Sequence, residues 1–280
     1  MLDGIKSVLI ALTKEFGPER PSSALAYGLS LAQATGAHAT VQAASVRLAL
    51  PNAFVSRYVG AAVEAENRRL DRLAHHVAEE AQKSAAMAGV ICSAEAPHLD
   101  FHELLDALTT QARLQDLTIL DAEPEALGMD RELMHRLLTE SGRPVLVAPE
   151  KQTTFSAQRI MVAWDGSARA ARAANDALPL LRAAEDVEVV AVVGEKELRG
   201  SADGSELAPH LARHGVNVSV YAIAAVDGDA ADALRQKAIW GRNDLIVMGG
   251  YVHSRLRELV FGGVTQSLLK SSPVPLFMSY

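Results

Sequence analysis

Short runs rich in valine, isoleucine and leucine recur along the chain, and longer segments with apolar residues at helical spacing lie between them. "KSVLIAL" (6–12) is followed by the helical pattern "SSALAYGLSLAQATG" (22–36), then by "HATVQAASV" (38–46). Further on come "GVICSAEA" (89–96), a helix near "FHELLDALTTQARLQ" (101–115), "DLTILDA" (116–122) and "RPVLVAP" (143–149). The runs are nearly continuous in apolar residues, as strands covered on both faces should be. Strands alternating with helices predict a parallel sheet with right-handed crossovers.

The pattern then starts again. "QRIMVAW" (158–164), helical "ARAARAANDALPLLRAA" (168–184), "DVEVVAVV" (186–193), "GVNVSVYAI" (215–223), a helix near "DALRQKAIW" (232–240), "DLIVMGG" (244–250) and "VPLFMSY" (274–280) repeat the series. Individual segments match across the halves: "DLTILDA" with "DLIVMGG", "LLTESGRPVLV" (137–147) with "LLKSSPVPLFM" (268–278), and "AGVICSAEA" (88–96) with "HGVNVSVYA" (214–222). The reading is a duplicated βαβαβαβαβ unit, residues 1–150 and 157–280, joined near "EKQTTFSAQ" (150–158). A repeat of domain size implies duplication rather than a solenoid, because each unit can bury its own core. The fold class is α/β: two tandem Rossmann-like domains, each a mostly parallel five-stranded sheet flanked by helices.

Composition narrows the function. The 280 residues carry a formal net charge of −7, so there is no basic excess to neutralise nucleic-acid phosphates. No run of about 18 apolar residues suggests a membrane span. The N-terminal stretch lacks a small-residue cleavage site, and Cys92 is the only cysteine, so a cytoplasmic protein without an intrachain disulfide is expected.

Open parallel sheets bind ligands beyond the carboxyl ends of their strands. In the second half the first strand runs into Asp165, the fourth into Gly249 and Gly250, and a helix then begins near Gly262, Gly263 and Thr265. Exposed N–H groups and the positive end of a helix attract phosphate, and small residues let it approach the backbone. The bland alternative is that the glycines only make turns and that Asp165 and Ser167 only cap the next helix. The first half has no such glycines: Asp121 stands where Gly249 does, and Glu123 and Glu125 follow.

With these residues in place, the second half resembles the universal stress protein family, and the whole chain resembles its tandem form. Nucleotide-binding members of that family carry G-x2-G-x9-G-(Ser/Thr/Asn) after the fourth strand and an aspartate after the first. Asp165 matches the aspartate, Gly249 the first glycine and Gly262 the third. Val252 falls on the second glycine and Gly263 on the small hydroxyl position, with Thr265 two residues on. The resemblance implies an adenine nucleotide alpha hydrolase-like fold with ATP or a related adenine nucleotide, with or without magnesium, in the second domain. Asp165 would lie near the adenine, Gly249 near the ribose, and Gly262, Gly263 and Thr265 around the phosphates. Val252 departs from the pattern: a β-branched residue is an outlier where φ > 0 is required, so either the loop is rebuilt or its backbone stays away from the ligand. In the first domain the aspartate position falls near Leu12 and Thr13, and no nucleotide is expected there. The resemblance also implies that the last strands of the two halves pair into an internal pseudo-dimer. A homodimer and an unidentified protein partner are compatible with this reading.

Other chemistry has weaker support. There is no GxxxxGK(S/T), GxGxxG or G-x-S-x-G. His98, His102 and Glu103 are the one candidate metal group, but four convergent ligands are needed, and Asp100 reads as a helix cap beside them. His253 and Arg255 read equally as phosphate contacts or as a solvated face. No catalytic residue is assigned. The leading expectation is a stress-response protein regulated by an adenine nucleotide. The alternatives are a nucleotide-free interaction module and a slow ATP hydrolase.

Overall fold

The computed structural model describes residues 3–13, 22–49, 57–122, 129–193, 204–225, 228–250, 252–255, 258–261 and 263–280. In chain order the first half has β1 (Ser7–Leu12), α1 (Ser23–Thr35), β2 (His38–Ala43), β3 (Ser45–Val46), α2 (Arg57–Met87), β4 (Cys92–Glu95), β5 (His98–Leu99), α3 (Phe101–Arg113), β6 (Leu117–Asp121), α4 (Met129–Glu140) and β7 (Val145–Ala148). The second half has β8 (Arg159–Ala163), α5 (Ala168–Asp176), α6 (Leu178–Leu181), β9 (Asp186–Val193), α7 (Leu207–Arg213), β10 (Val218–Ala224), α8 (Ala230–Trp240), β11 (Leu245–Gly249), β12 (Val252–Arg255), β13 (Glu258–Phe261), α9 (Gly263–Ser271) and β14 (Leu276–Ser279).

The main strands form one ten-stranded sheet, ordered β10-β9-β8-β11-β14-β7-β6-β1-β2-β4. Each half contributes five parallel strands in the same relative order, with its first strand central. The halves meet where β14 runs antiparallel to β7, Leu276 opposite Val147, Phe277 opposite Leu146 and Met278 opposite Val145. Alternating strand residues feed two cores. Val8, Ile10, Leu146, Val162 and Phe277 pack under α1, α2, α5, α6 and α7. Leu9, Val147, Met161, Ile246 and Met278 pack under α3, α4, α8 and α9. Each core crosses the junction without a break.

The duplication extends to small devices. Asp116 Oδ2 accepts from the backbone N–H groups of Lys6 and Ser7 at 2.8 and 3.0 Å; Asp244 Oδ2 accepts from those of Gln158 and Arg159 at 2.8 and 2.9 Å. In each half the acid before the fourth strand holds the start of the first. Gly89 and Gly215, which fall on matching positions, both take the left-handed conformation (φ 68° and 82°) that ends a helix before the third strand. The connecting segment is fastened to α1: Lys151 and Phe155 donate backbone N–H groups to Ser23 Oγ and Ser30 Oγ at 3.0 Å each.

Three segments differ from the sequence reading. "HATVQAASV" does not stay in one strand, because Ser45–Val46 leaves the sheet to pair with His98–Leu99. Cys92 is not deep in an apolar strand: it opens β4, an edge strand, and is half-buried. Between β11 and α9, where a glycine loop was expected, β12 and β13 form an antiparallel hairpin.

Candidate functional site

At the carboxyl ends of β8 and β11 the register sets Met248 beside Ala163, so Gly249 lies level with Trp164 and Asp165 follows at the rim. Asp165 is exposed, and its Oδ1 accepts from the Ser167 N–H at 2.9 Å. Ser167 Oγ in turn accepts from Ala170 N at 3.1 Å, capping α5. Gly166 makes this turn with φ 72°. Ser167 is therefore the cap of α5, and its N–H holds the Asp165 carboxylate at the rim.

Gly249 is there because α5 presses onto it. A Cβ on Gly249 would lie 2.7 Å from Ala170 N and 2.9 Å from both the carbonyl carbon and Cβ of Arg169. This close approach brings the Asp165 turn and the end of β11 together. It also explains the glycine without a ligand. Gly250 is buried, donates its N–H to Ser279 O at 2.7 Å, and faces Leu138 of the first half.

Of the helix-end residues, Gly263 is the first residue of α9; it is exposed, and nothing lies within 4 Å of where its Cβ would stand. The first turn of α9 carries no acid. An approaching phosphate would meet the positive end of the helix there. Thr265, in the first turn of the same helix, is buried at 2% exposure. Gly262 lies outside the described residues. Val252 is extended in β12, opposite Phe261. A β-branched residue suits that backbone and removes any conflict with a positive φ; of the two alternatives for Val252, the loop is rebuilt.

The first half closes the matching place with its own side chain. Asp121, at the end of β6, accepts from Ser22 Oγ at 2.6 Å and from Ala24 N at 2.9 Å. The carboxylate thus sits at the positive end of α1, the counterpart of the α5 end beside Gly249. Leu12 ends β1, with Thr13 following it, and no carboxylate stands at that position. Glu123 and Glu125 lie outside the described residues.

One neighbour was not found in the sequence. Arg169 Nη2 donates to the Tyr280 hydroxyl at 3.0 Å, and its guanidinium carbon lies 4.3 Å from the Tyr280 ring centroid. Its position four residues after Asp165, on the first turn of a helix, was the available signal. The candidate metal group does not assemble. His98 lies in β5 with Nδ1 bonded to Ser45 Oγ at 2.8 Å, Asp100 caps α3, and among the described residues no group of three potential ligands converges. No helix among them is long and apolar enough to cross a membrane.

The model of the universal stress protein family matches residues 156–279. The chain is similar in structure to a universal stress protein from Archaeoglobus fulgidus DSM 4304, with TM-score 0.71 and 18% identity over 97% of this chain and 95% of that one. It is also similar to a putative universal stress protein from Pseudomonas aeruginosa UCBPP-PA14, with TM-score 0.56 and 13% identity over 99% and 94%. A functionally unknown protein from Pseudomonas aeruginosa PAO1 gives TM-score 0.56 and 13% identity over 99% and 93%. These likenesses establish a shared fold over the full chain. No curated protein matches the sequence.

Proposed function

We propose, from the match of the universal stress protein family model to residues 156–279, that the chain is a stress-response protein that binds ATP or a related adenine nucleotide in its second half as a regulatory ligand. The open, acid-free N-terminus of α9 at Gly263 carries this reading. Asp165 at the neighbouring strand end supports it with an exposed, oriented carboxylate that suits an adenine amino group. No nucleotide is expected in the first half, where Asp121 stands in place of Gly249 and its carboxylate is bonded to Ser22 Oγ and Ala24 N at the start of α1, the counterpart of α5.

Isothermal titration with ATP, ADP and AMP tests the proposal. Heat is expected with at least one of them, and none with any up to millimolar concentration overturns it. Gly263→Glu should weaken binding about tenfold or more by setting a negative charge against the phosphates. The same glutamate favours the α9 dipole and enters open space, so the fold should be kept.

A second reading, a nucleotide-free interaction module, is favoured by the hairpin, which places Val252 in a strand instead of a phosphate loop. Under that reading the Gly263→Glu variant complements stress sensitivity as well as the native chain does.

A further inference from the structure

The ten-stranded sheet has two free edges, and the chain treats them differently. Strand β4 is four residues long, contains Glu95 and is followed at once by Ala96 and Pro97. Short length, charge and proline are the usual means of blunting an edge. Strand β10 is seven residues long, reads VSVYAIA, and contains no charge, proline or glycine. Among the described residues nothing pairs with its outer side. Val220 and Tyr221 are 37% and 42% exposed, and Trp240, at the end of α8, is 78% exposed. Trp240 follows Lys237 by three residues and so shares its side of the helix. That side faces β10, because Lys237 Nζ sits 4.0 Å from the Tyr221 ring centroid. Its charge is met by Glu188 Oε1 at 2.6 Å.

The hydrogen bonds to β9 fix which backbone groups face outward. Asn217 O accepts from Val187 N, and Ala225 N donates to Val193 O, so odd-numbered residues of this strand point inward. Val218, Val220, Ala222 and Ala224 therefore present both N–H and C=O to the outside.

We propose that two copies of the chain associate by antiparallel pairing of their β10 edges, centred on Tyr221. In that register Val220 lies opposite the partner copy's Ala222 and Val218 opposite its Ala224, so every outward N–H and C=O is bonded. The two tyrosines form the close, non-hydrogen-bonded pair at the centre. The operation is the one that already joins β7 to β14: an antiparallel meeting of two copies of one fold that keeps corresponding helices on the same face. Seven residues span about 23 Å, and with about 10 Å of covering layer on each face the edge buries about 450 Å2 per partner. That is about 900 Å2 in total, just short of the roughly 1,000 Å2 of a specific interface. A tryptophan from each copy, worth about 150–250 Å2 when covered, carries it past that value.

Sedimentation equilibrium of the full chain from about 1 to 100 μM should show a monomer–dimer equilibrium. Ala222→Pro removes only an outward N–H, which an edge strand tolerates. It should weaken the dimer about 30-fold or more, through two lost intersubunit bonds, with the far-UV circular dichroism unchanged. Trp240→Ser, which leaves the strand intact, should weaken it in the same direction. Hydrogen exchange at Val218, Val220, Ala222 and Ala224 should slow with rising concentration. A chain that stays monomeric overturns the proposal, as does a dimer that survives a folded Ala222→Pro. If Ala222→Pro does not fold, the proposal falls when Trp240→Ser leaves the dimer unaffected and exchange at those four residues does not slow with concentration.

Discussion

Tyr27 is among the largest fully buried side chains, and its hydroxyl finds no hydrogen-bond partner among the described residues. Burial, with the Asp244 carboxylate adding to it, pushes the phenol well above its ordinary value of 10.0. In the unfolded chain this tyrosine ionises near pH 10; in the folded chain it stays protonated. Above that pH the unfolded state binds fewer protons, so stability falls as pH rises, by up to about 1.4 kcal/mol per unit. Below pH 10 the contribution is fully present. Tyr27→Phe should be neutral or slightly stabilising at pH 7, since it removes an unsatisfied hydroxyl and little volume. Its advantage over the native chain should then grow above pH 10. Urea melts of both proteins between pH 7 and 11 check this, and an equal alkaline loss in both would contradict it. Neither the buried hydroxyl nor the packing role of Gly249 was legible in the sequence. Tyr27 read as one apolar position in a helix, and Gly249 read as a ligand contact, because a pattern along the chain does not say which helix will press on a strand end.

At the scale of elements the sequence was more informative. Near-continuous apolar runs marked the core strands because both faces of the sheet are covered, and matching acids, glycines and leucines marked the duplication. Residues 252–255 and 258–261 differ from the sequence reading for a physical reason. Glycines at their flanks suggested a loop, while "VHSR" and "ELVF" lack the strict alternation that announces a strand. Once the hairpin forms, Val252 becomes a favourable residue instead of an outlier. This has a consequence for binding. If a nucleotide needs the segment in a loop conformation, the hairpin competes with it, and the apparent affinity falls with the loop population. Val252→Gly costs a strand about 1 kcal/mol and permits φ > 0. It should therefore tighten ATP binding about fivefold, measured by titration calorimetry. Unchanged or weaker binding would mean that the hairpin and the bound nucleotide coexist.

Over the whole molecule, the continuous sheet decides how the protein unfolds. Two separate domains would lose structure independently, but here both cores draw on both halves and cross the β7–β14 pairing. Arg172 of α5 also donates to Gly142 O at 3.2 Å, and the connecting segment is bonded to α1. Separating the halves would expose Val145, Leu146 and Val147 against Leu276, Phe277 and Met278, all at most 2% exposed. An apolar edge of that kind is costly in water, so neither half should persist alone at intermediate denaturant. The two tryptophans, Trp164 and Trp240, both lie in the second half, whereas circular dichroism reports on both. The two signals should give one coincident urea transition. Leu146→Ala in β7 should destabilise by about 2–5 kcal/mol and move the tryptophan transition as far as the circular dichroism transition, although the substitution lies in the half without tryptophan. A tryptophan transition left in place by Leu146→Ala would show that the second half folds without the first, and that the shared sheet joins two independent units.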